Sequence, residues 1–309
     1  MIRETRWARH PILKRLLGRA VAAPILHALR RTGLRAGLAV YYHRVGDPQG
    51  DPRRELVPRM GTALFSRQLR YVRRHFALVR ASELLDAARG RRPGEPFPLA
   101  VTFDDDLACH RRVALPILSN TRVPATFFLS GASLDRPGWF WWEVLDESGG
   151  DVLAEAERLL SLDAGSRAAA TDMLVQAAGD PPADAGMRGA DVAALAGAGH
   201  EVGFHTLRHQ LLPVLDDEAL AEAMTEGREA LERWAGGALT AIAYPHGRCD
   251  ARVAEAARRA GYAVGFSTAE SAVRADDDPL SLGRLEGPVS SVGQLAFALA
   301  RALVRAYRS

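Results

Sequence analysis

Residues 99–106 read Leu-Ala-Val-Thr-Phe-Asp-Asp-Asp. An apolar run that stops abruptly at three carboxylates predicts a buried strand, Leu99–Phe103, opening at its C-terminal end onto Asp104, Asp105 and Asp106. Adjacent acids repel one another, so a fold keeps them only where a cation or a solvated turn absorbs the charge. A polar turn with an Asp cap for a helix starting near Leu107 would also suit the triplet. A second stretch shifts the balance. Residues 201–209 read Glu-Val-Gly-Phe-His-Thr-Leu-Arg-His, a strand (Glu201–His205) with His205 at its end and His209 four residues on. If the chain turns into a helix there, both imidazoles face one point, as in two-histidine metal sites. Two histidines and one carboxylate leave coordination positions open for water, as a hydrolytic metal requires.

Around these two stretches, short apolar runs alternate with helix-period sequence. Further strands are expected at Leu38–His43, Ala77–Val79, Ala125–Leu129, Thr240–Tyr244, Ala263–Ser267 and Leu282–Leu285. Helices are expected at Leu107–Leu118, Asp217–Trp234 and Asp250–Ala260, with Ser82, Asp191 and Ser290 at N-cap positions. This alternation predicts an α/β protein built of βα units, and seven or eight such units suit a closed barrel better than an open sheet. In such a barrel both motif-bearing strand ends open onto the same face, where active sites are built. Residues 139–190 break the rhythm: an aromatic cluster, Trp139, Phe140, Trp141 and Trp142, leads into Ala- and Asp-rich helical sequence. They are expected to form a helical insertion.

A chain of 309 residues, 48% hydrophobic and 25% charged, can bury a core without staples. Two cysteines exclude a disulfide framework, and Cys109 and Cys249 read as free thiols rather than a bridge. Residues 1–35 carry nine Arg or Lys against one acid, Glu4, while the whole chain is only +3, so the remainder is net acidic. A nucleic-acid binder is therefore disfavoured, because its basic stripe would lie on the folded body. Residues 1–35 read as a basic amphipathic arm preceding a single domain over 36–309, with Leu13, Leu16, Leu17, Ala20 and Val21 on one stripe and Pro24 interrupting it. Two readings of the arm stay open: contact with anionic headgroups at the inner membrane face, or a helix packed on the body. No signal peptide or membrane-spanning run is legible, which gives a cytoplasmic expectation.

Val-Thr-Phe-Asp-Asp (101–105), Gly-Phe-His-Thr-Leu-Arg-His (203–209) and Ala-Tyr-Pro-His-Gly (243–247) resemble, in order and spacing, three motifs of the polysaccharide deacetylase family. That family shares the NodB homology domain and is also called carbohydrate esterase family 4. The likeness extends to Tyr42-His43-Arg44 upstream and to Gly261-Tyr262 and Gly265-Phe266 downstream. It implies a distorted (β/α) barrel of about seven strands and a divalent metal, most often Zn2+, held by Asp105, His205 and His209. It also implies Asp104 as the base and a backbone N–H near His246 as oxyanion donor. Tyr244, Pro245, Trp141 and Arg284 are the expected substrate contacts.

Four positions depart from the family's pattern. Asp106 stands where a Gly is usual after the Asp pair, and Ala243 where an Arg often braces the base. No Asp-Trp motif follows Phe266, and no His lies beyond His246, so the usual C-terminal acid is missing. An amine leaves only if protonated, and His43 is the favoured donor over His246 because a regular strand would aim it at the metal. His75, His110 and His200 read as structural. The expected function is a metal-dependent hydrolase that removes an acyl group, foremost N-acetyl, from an amino sugar of a polysaccharide or lipid-linked saccharide. A deformylase, an O-deacetylase or a catalytically silent glycan-binding module are the alternatives.

Overall fold

A computed structural model of the chain describes residues 11–47, 56–136, 138, 140–147, 151–162, 164–181 and 185–309. Trp139, the first ten residues and the side chains of Leu13, Lys14, Arg15, Leu16 and Leu17 fall outside that description. The run at 99–106 becomes β3 (Pro98–Asp104), buried at every position, as a strand in a parallel sheet covered by helices must be. With β1 (Ala36–Tyr42), β4 (Thr126–Leu129), β5 (Glu201–Phe204), β6 (Ala241–Ala243) and β7 (Val264–Phe266) it forms a parallel series in the order β7-β6-β5-β4-β3-β1. β2 (Ala77–Val79) pairs with the first half of β3, and β8 (Val273–Arg274) runs antiparallel to the start of β1. β9 (Leu285–Glu286) lies parallel to β1 through Val40 and Tyr41, while Leu282 bridges Phe266. Residues 282–286 thus span from β7 to β1, and the sheet curls into a distorted (β/α) barrel.

Side chains alternate across this sheet. Leu38, Val40 and Tyr42 of β1, Leu99, Val101 and Phe103 of β3, and Ile242 of β6 face outward into one large core under the helices. Ala39, Ala100, Phe128, Ala241, Ala243 and Phe266 face the barrel interior. The period puts Tyr41, His43, Thr102, Asp104, Gly203 and His205 on the inner side as well. Small residues low in the barrel and polar ones at its C-terminal rim leave room for chemistry at that end only.

The helices are α1 (Pro11–Arg30), α2 (Thr62–His75), α3 (Leu84–Gly90) and α4 (Leu115–Thr121). Then follow α5 (Trp141–Glu147), α6 (Val152–Ser161), α7 (Ala164–Ala177) and α8 (Gly189–Gly197). The last four are α9 (Asp217–Ala223), α10 (Arg228–Ala235), α11 (Ala251–Arg259) and α12 (Val292–Arg308). α5, α6 and α7 are the expected insertion, with a small core of their own built on Leu145, Val152, Ala156 and Leu159.

Several boundaries differ from the sequence expectation. The helix expected over Asp217–Trp234 is broken, because Gly227 adopts φ 76°. The helix expected at Leu107–Leu118 opens on a π turn, His110–Ala114, and runs on to Thr121. Ser291, not Ser290, caps α12 by accepting from the Gln294 N–H. Asp191 sits three residues inside the cap of α8, accepting from the Arg188 N–H, and Ser82 lies within a 3-10 turn before α3.

The arm packs on the body. α1 extends through Pro24 to Arg30. Its buried face is Gly18, Ala22, Leu26 and Leu29, whereas Ala20 and Val21 of the expected stripe are exposed. Gly18 lies so close to α12 that a Cβ would stand 2.2 Å from the Gly293 carbonyl oxygen. Over residues 18–30 the buried face is spent on α12 and the core, and the lipid-contact reading finds no support. Among the described residues no helix is long and apolar enough to cross a membrane. Cys109 and Cys249 are free thiols.

His110 ties the fold to the barrel rim. It is fully buried, its Nε2–H donates to the His43 carbonyl at 2.8 Å, and its ring meets Phe103 edge-on at 5.2 Å. Burial above all pushes its pKa from 6.5 down to about 4. The native state holds this ring neutral while the unfolded chain binds a proton below pH 6.5, so stability is full above 6.5 and falls as pH drops toward 4. Linkage puts the loss at about 2 kcal/mol between pH 8 and pH 5. Urea titrations at the two pH values should show His110→Asn losing about that much less than wild type; identical losses would contradict it.

Candidate metal centre

The C-terminal ends of β3 and β5 bring Asp105, His205 and His209 together, one ligand atom of each lying within 4.8 Å of the others. Nε2 of His205 and Nε2 of His209 each stand 3.6 Å from Oδ1 of Asp105. Such spacings resemble the edges, about 3.4 Å, of a tetrahedron with bonds near 2.1 Å. The local backbone is strained to achieve this: Asp105, Thr206, His209 and His246 all have positive φ, at 75°, 55°, 48° and 57°. For residues other than glycine each such conformation costs of order 1–3 kcal/mol and clusters at functional sites. The Nδ1–H of His205 donates to the Ala243 carbonyl at 2.7 Å, which fixes the tautomer and leaves Nε2 as a lone pair facing Asp105. Burial, then the neighbouring His246 and His205, hold His209 well below the ordinary imidazole pKa, so it too stays neutral.

The three acids meet three different fates. Asp104 is gripped by Arg284 through two parallel bonds, Nη1 to Oδ1 and Nη2 to Oδ2, both 2.7 Å. Arg284 is fully buried and also donates to Thr102 Oγ1 and the Ser267 carbonyl. Burial would raise the Asp104 pKa, but Arg284 outweighs it and, helped by His205, brings the carboxyl down to about 2. Asp106 accepts from the Ser130 N–H and hydroxyl, both at 2.7 Å, and from the Ala132 N–H at 3.0 Å. It braces the end of β4. Asp105 has no such help. Its Oδ1 is buried without a hydrogen-bond partner, and burial, then Asp104 and Asp106, push its pKa well above the usual carboxylate range.

Other expected site residues fall on both sides of this centre. His43, inward at the end of β1, places Nε2 4.0 Å from Asp105 Oδ2 and lines a cleft with Tyr41, Met60, Glu286 and Gly287. The exposed His246 ring lies 4.7 Å from that of His209. Gly247 beside it has φ 64°, and a Cβ there would strike Thr268. Arg284 is fully buried, with four of its five N–H groups engaged inside the barrel, and is therefore not at the substrate surface. Tyr244 is likewise fully buried with its hydroxyl donating to the Leu280 carbonyl, and Pro245 is buried beside it. Trp141 packs into the core of the insertion; its neighbour Trp142 is the indole at the site, 5.1 Å from the His209 ring. Arg44, next to His43, ion-pairs with Asp146 and with Glu143 at 3.6 Å, fastening α5 over the rim. Its position directly after His43 was the only sequence signal for that role.

A family model described as polysaccharide deacetylase matches residues 91–265, a segment that holds the Asp triplet, His205, His209 and His246. The chain belongs to the polysaccharide deacetylase family. Solved structures of similar fold include the Streptococcus pyogenes deacetylase PplD in complex with acetate, with 18% identity, a TM-score of 0.62 and coverage of 84% of this chain and 96% of that one. BC0361, a polysaccharide deacetylase from Bacillus cereus, has 19% identity and a TM-score of 0.60, covering 87% and 70%. IcaB from Ammonifex degensii has 22% identity and a TM-score of 0.57, covering 85% and 97%. No curated protein sequence matches the chain.

A divalent cation suits this polysaccharide deacetylase family site on its own chemistry. Two neutral imidazoles and a buried carboxylate oxygen that lacks any partner form a donor set that zinc commonly takes. Positive charge there would relieve the repulsion that raises Asp105. Metal analysis of the purified protein should therefore find one zinc per chain, and His209→Ala should abolish it; a His209→Ala protein that still holds one zinc tightly would overturn the assignment.

Proposed function

We propose that the chain is a metal-dependent carbohydrate deacylase that removes an acyl group, foremost N-acetyl, from an amino sugar of a polysaccharide or lipid-linked saccharide. The observation that carries this reading is the division of labour between neighbours: Asp105 faces two imidazoles, while Asp104, one residue away, is held ionised by Arg284. A glycan-binding module would need no second carboxylate poised in this way.

In this reading Asp105, His205 and His209 hold a divalent cation, zinc by its donors, which supplies Lewis acidity at the acyl oxygen and acidifies a water molecule. Asp104, ionised at neutral pH and oriented by the guanidinium fork, receives the proton of the attacking water. The backbone N–H of His246, the first amide of the 3-10 turn that starts at Pro245 and so without a partner inside the turn, donates to the developing oxyanion. His43 delivers a proton to the leaving amine. Burial above all lowers its pKa to about 4, so it rests neutral at pH 7 and must be charged during turnover by the proton that Asp104 collects. His246, at the exposed rim, is the second donor. The acetate named with the related PplD structure is the product expected of such a reaction.

Metal-loaded protein incubated with oligomers of N-acetylglucosamine should release acetate, and a chelator should stop the release until zinc is restored. Asp104→Asn should keep the metal and lose activity by about 10²–10⁴-fold, the usual worth of a positioned base. Formate rather than acetate, from N-formylated sugars, would move the enzyme to the deformylases. No acyl release from any acylated sugar, or full activity in Asp104→Asn, would overturn the reading. His43→Ala should lower kcat more than His246→Ala with zinc content unchanged in both; the reverse order would make His246 the donor.

A further inference from the structure

The segment that closes the barrel carries a second inward charge. On β9, Leu285 pairs with Val40 and Glu286 with Tyr41. Leu285 and Val40 both face the outer core, so by the period of two Tyr41 and Glu286 both face inward. Arg284, two residues earlier, is inward as well and grips Asp104. Glu286 therefore stands on the same wall, one pleat nearer the C-terminal rim. There it lines a cleft with Tyr41, His43, Arg44, Met60 and Gly287. His43 joins this cleft to the candidate metal centre, since its Nε2 lies 4.0 Å from Asp105 Oδ2.

Unlike the other charges of this wall, Glu286 is unpaired. It is exposed to solvent, and among the described residues its carboxylate has no hydrogen bond or ion pair. Arg284 is committed to Asp104, with its guanidinium carbon 4.9 Å from the Tyr41 ring. Arg44 is held by Asp146 and Glu143. The charge that acts on Glu286 is another acid, Glu270, whose own cation is Arg301 at 3.4 Å. Desolvation by the cleft wall, then Glu270, raise the Glu286 pKa, and a positive charge in the cleft would relieve both.

An anion on the wall of a substrate cleft selects among the groups a glycan can present. Hydroxyls occur on every unit and favour none. The amine uncovered by deacylation is different, because it is the group of such a chain that becomes positively charged. We propose that Glu286 binds the ammonium group of an already deacylated sugar next to the one being hydrolysed, so that the enzyme prefers partly deacylated, cationic glycans to fully acylated ones. This rests on the deacylase reading above and narrows its substrate class. Each turnover then creates the group that the cleft binds, and hydrolysis spreads along a chain from units already free.

The test compares N-acetylglucosamine tetramers with tetramers in which one unit, at varied positions, carries a free amine, at about pH 6.5 where the amine is protonated and the carboxylate ionised. For at least one position the amine should raise wild-type kcat/KM for acetate release by about 2- to 5-fold, the worth of a partly exposed ion pair. A neutral glucose unit at that position should not. The preference should vanish in Glu286→Gln, and in wild type at about 1 M salt, where the screening length falls to about 3 Å. No preference at any position in wild type, an equal gain from glucose, or a preference that survives Glu286→Gln would overturn the ammonium site and leave the deacylase reading in place. The wild-type comparison decides even if Glu286→Gln folds poorly. A wild-type protein that releases no acetate from any tetramer would overturn both.

Discussion

Three adjacent carboxylates, Asp104, Asp105 and Asp106, are all buried at the end of one strand. Charge of that density inside a protein is tolerated only if each group finds its own compensation. Asp106 takes three hydrogen bonds from Ser130 and Ala132 and becomes a brace for the end of β4. Asp104 takes a guanidinium. Asp105 is left facing two neutral imidazoles with a lone oxygen unsatisfied, an arrangement that a cation would complete. Much of the architecture at this face follows from those three solutions.

The pairing of Asp104 with Arg284 joins chemistry to topology. Arg284 belongs to the segment that runs from the Leu282 bridge on β7 to the Leu285 pairing on β1. The residue that keeps Asp104 ionised is therefore held in the seam of the barrel, and Asp104 is oriented only when the seam is formed. Ala243, at the position where the family often has a bracing arginine, is instead a small inward residue whose carbonyl orients His205. The same economy appears at β1, where His43 faces the centre and the next residue, Arg44, fastens the insertion across the rim.

Local pattern made the strands and the Asp and His motifs legible, because two-sided burial of β3 and the alternation along β1 and β5 are properties of consecutive residues. The insertion was legible as a loss of strand period. What stayed hidden depends on distant parts of the chain or on one residue of helical phase. Arg284 directly precedes a strand of two residues, Leu285–Glu286, whose place is set by barrel closure, so its partner could not be read from its neighbours. Trp141 and Trp142 are chemically equivalent in a cluster of aromatics, and only the start of α5 decides which one meets His209. The arm failed the same way: with alanines on both faces, the stripe through Ala20 and Val21 could not be told from the true one through Gly18 and Ala22. Gly227 shows the converse: a glycine inside an otherwise helical pattern takes positive φ and breaks the helix.

The separation of roles between adjacent acids is tested most directly by Arg284→Lys, which keeps the positive charge but loses the two-pronged grip on Asp104. Zinc content and acetate release from N-acetylglucosamine oligomers would be measured on the same preparation. The account predicts one zinc per chain, as in wild type, with kcat reduced by at least tenfold. Loss of the zinc together with activity, or undiminished kcat, would contradict it.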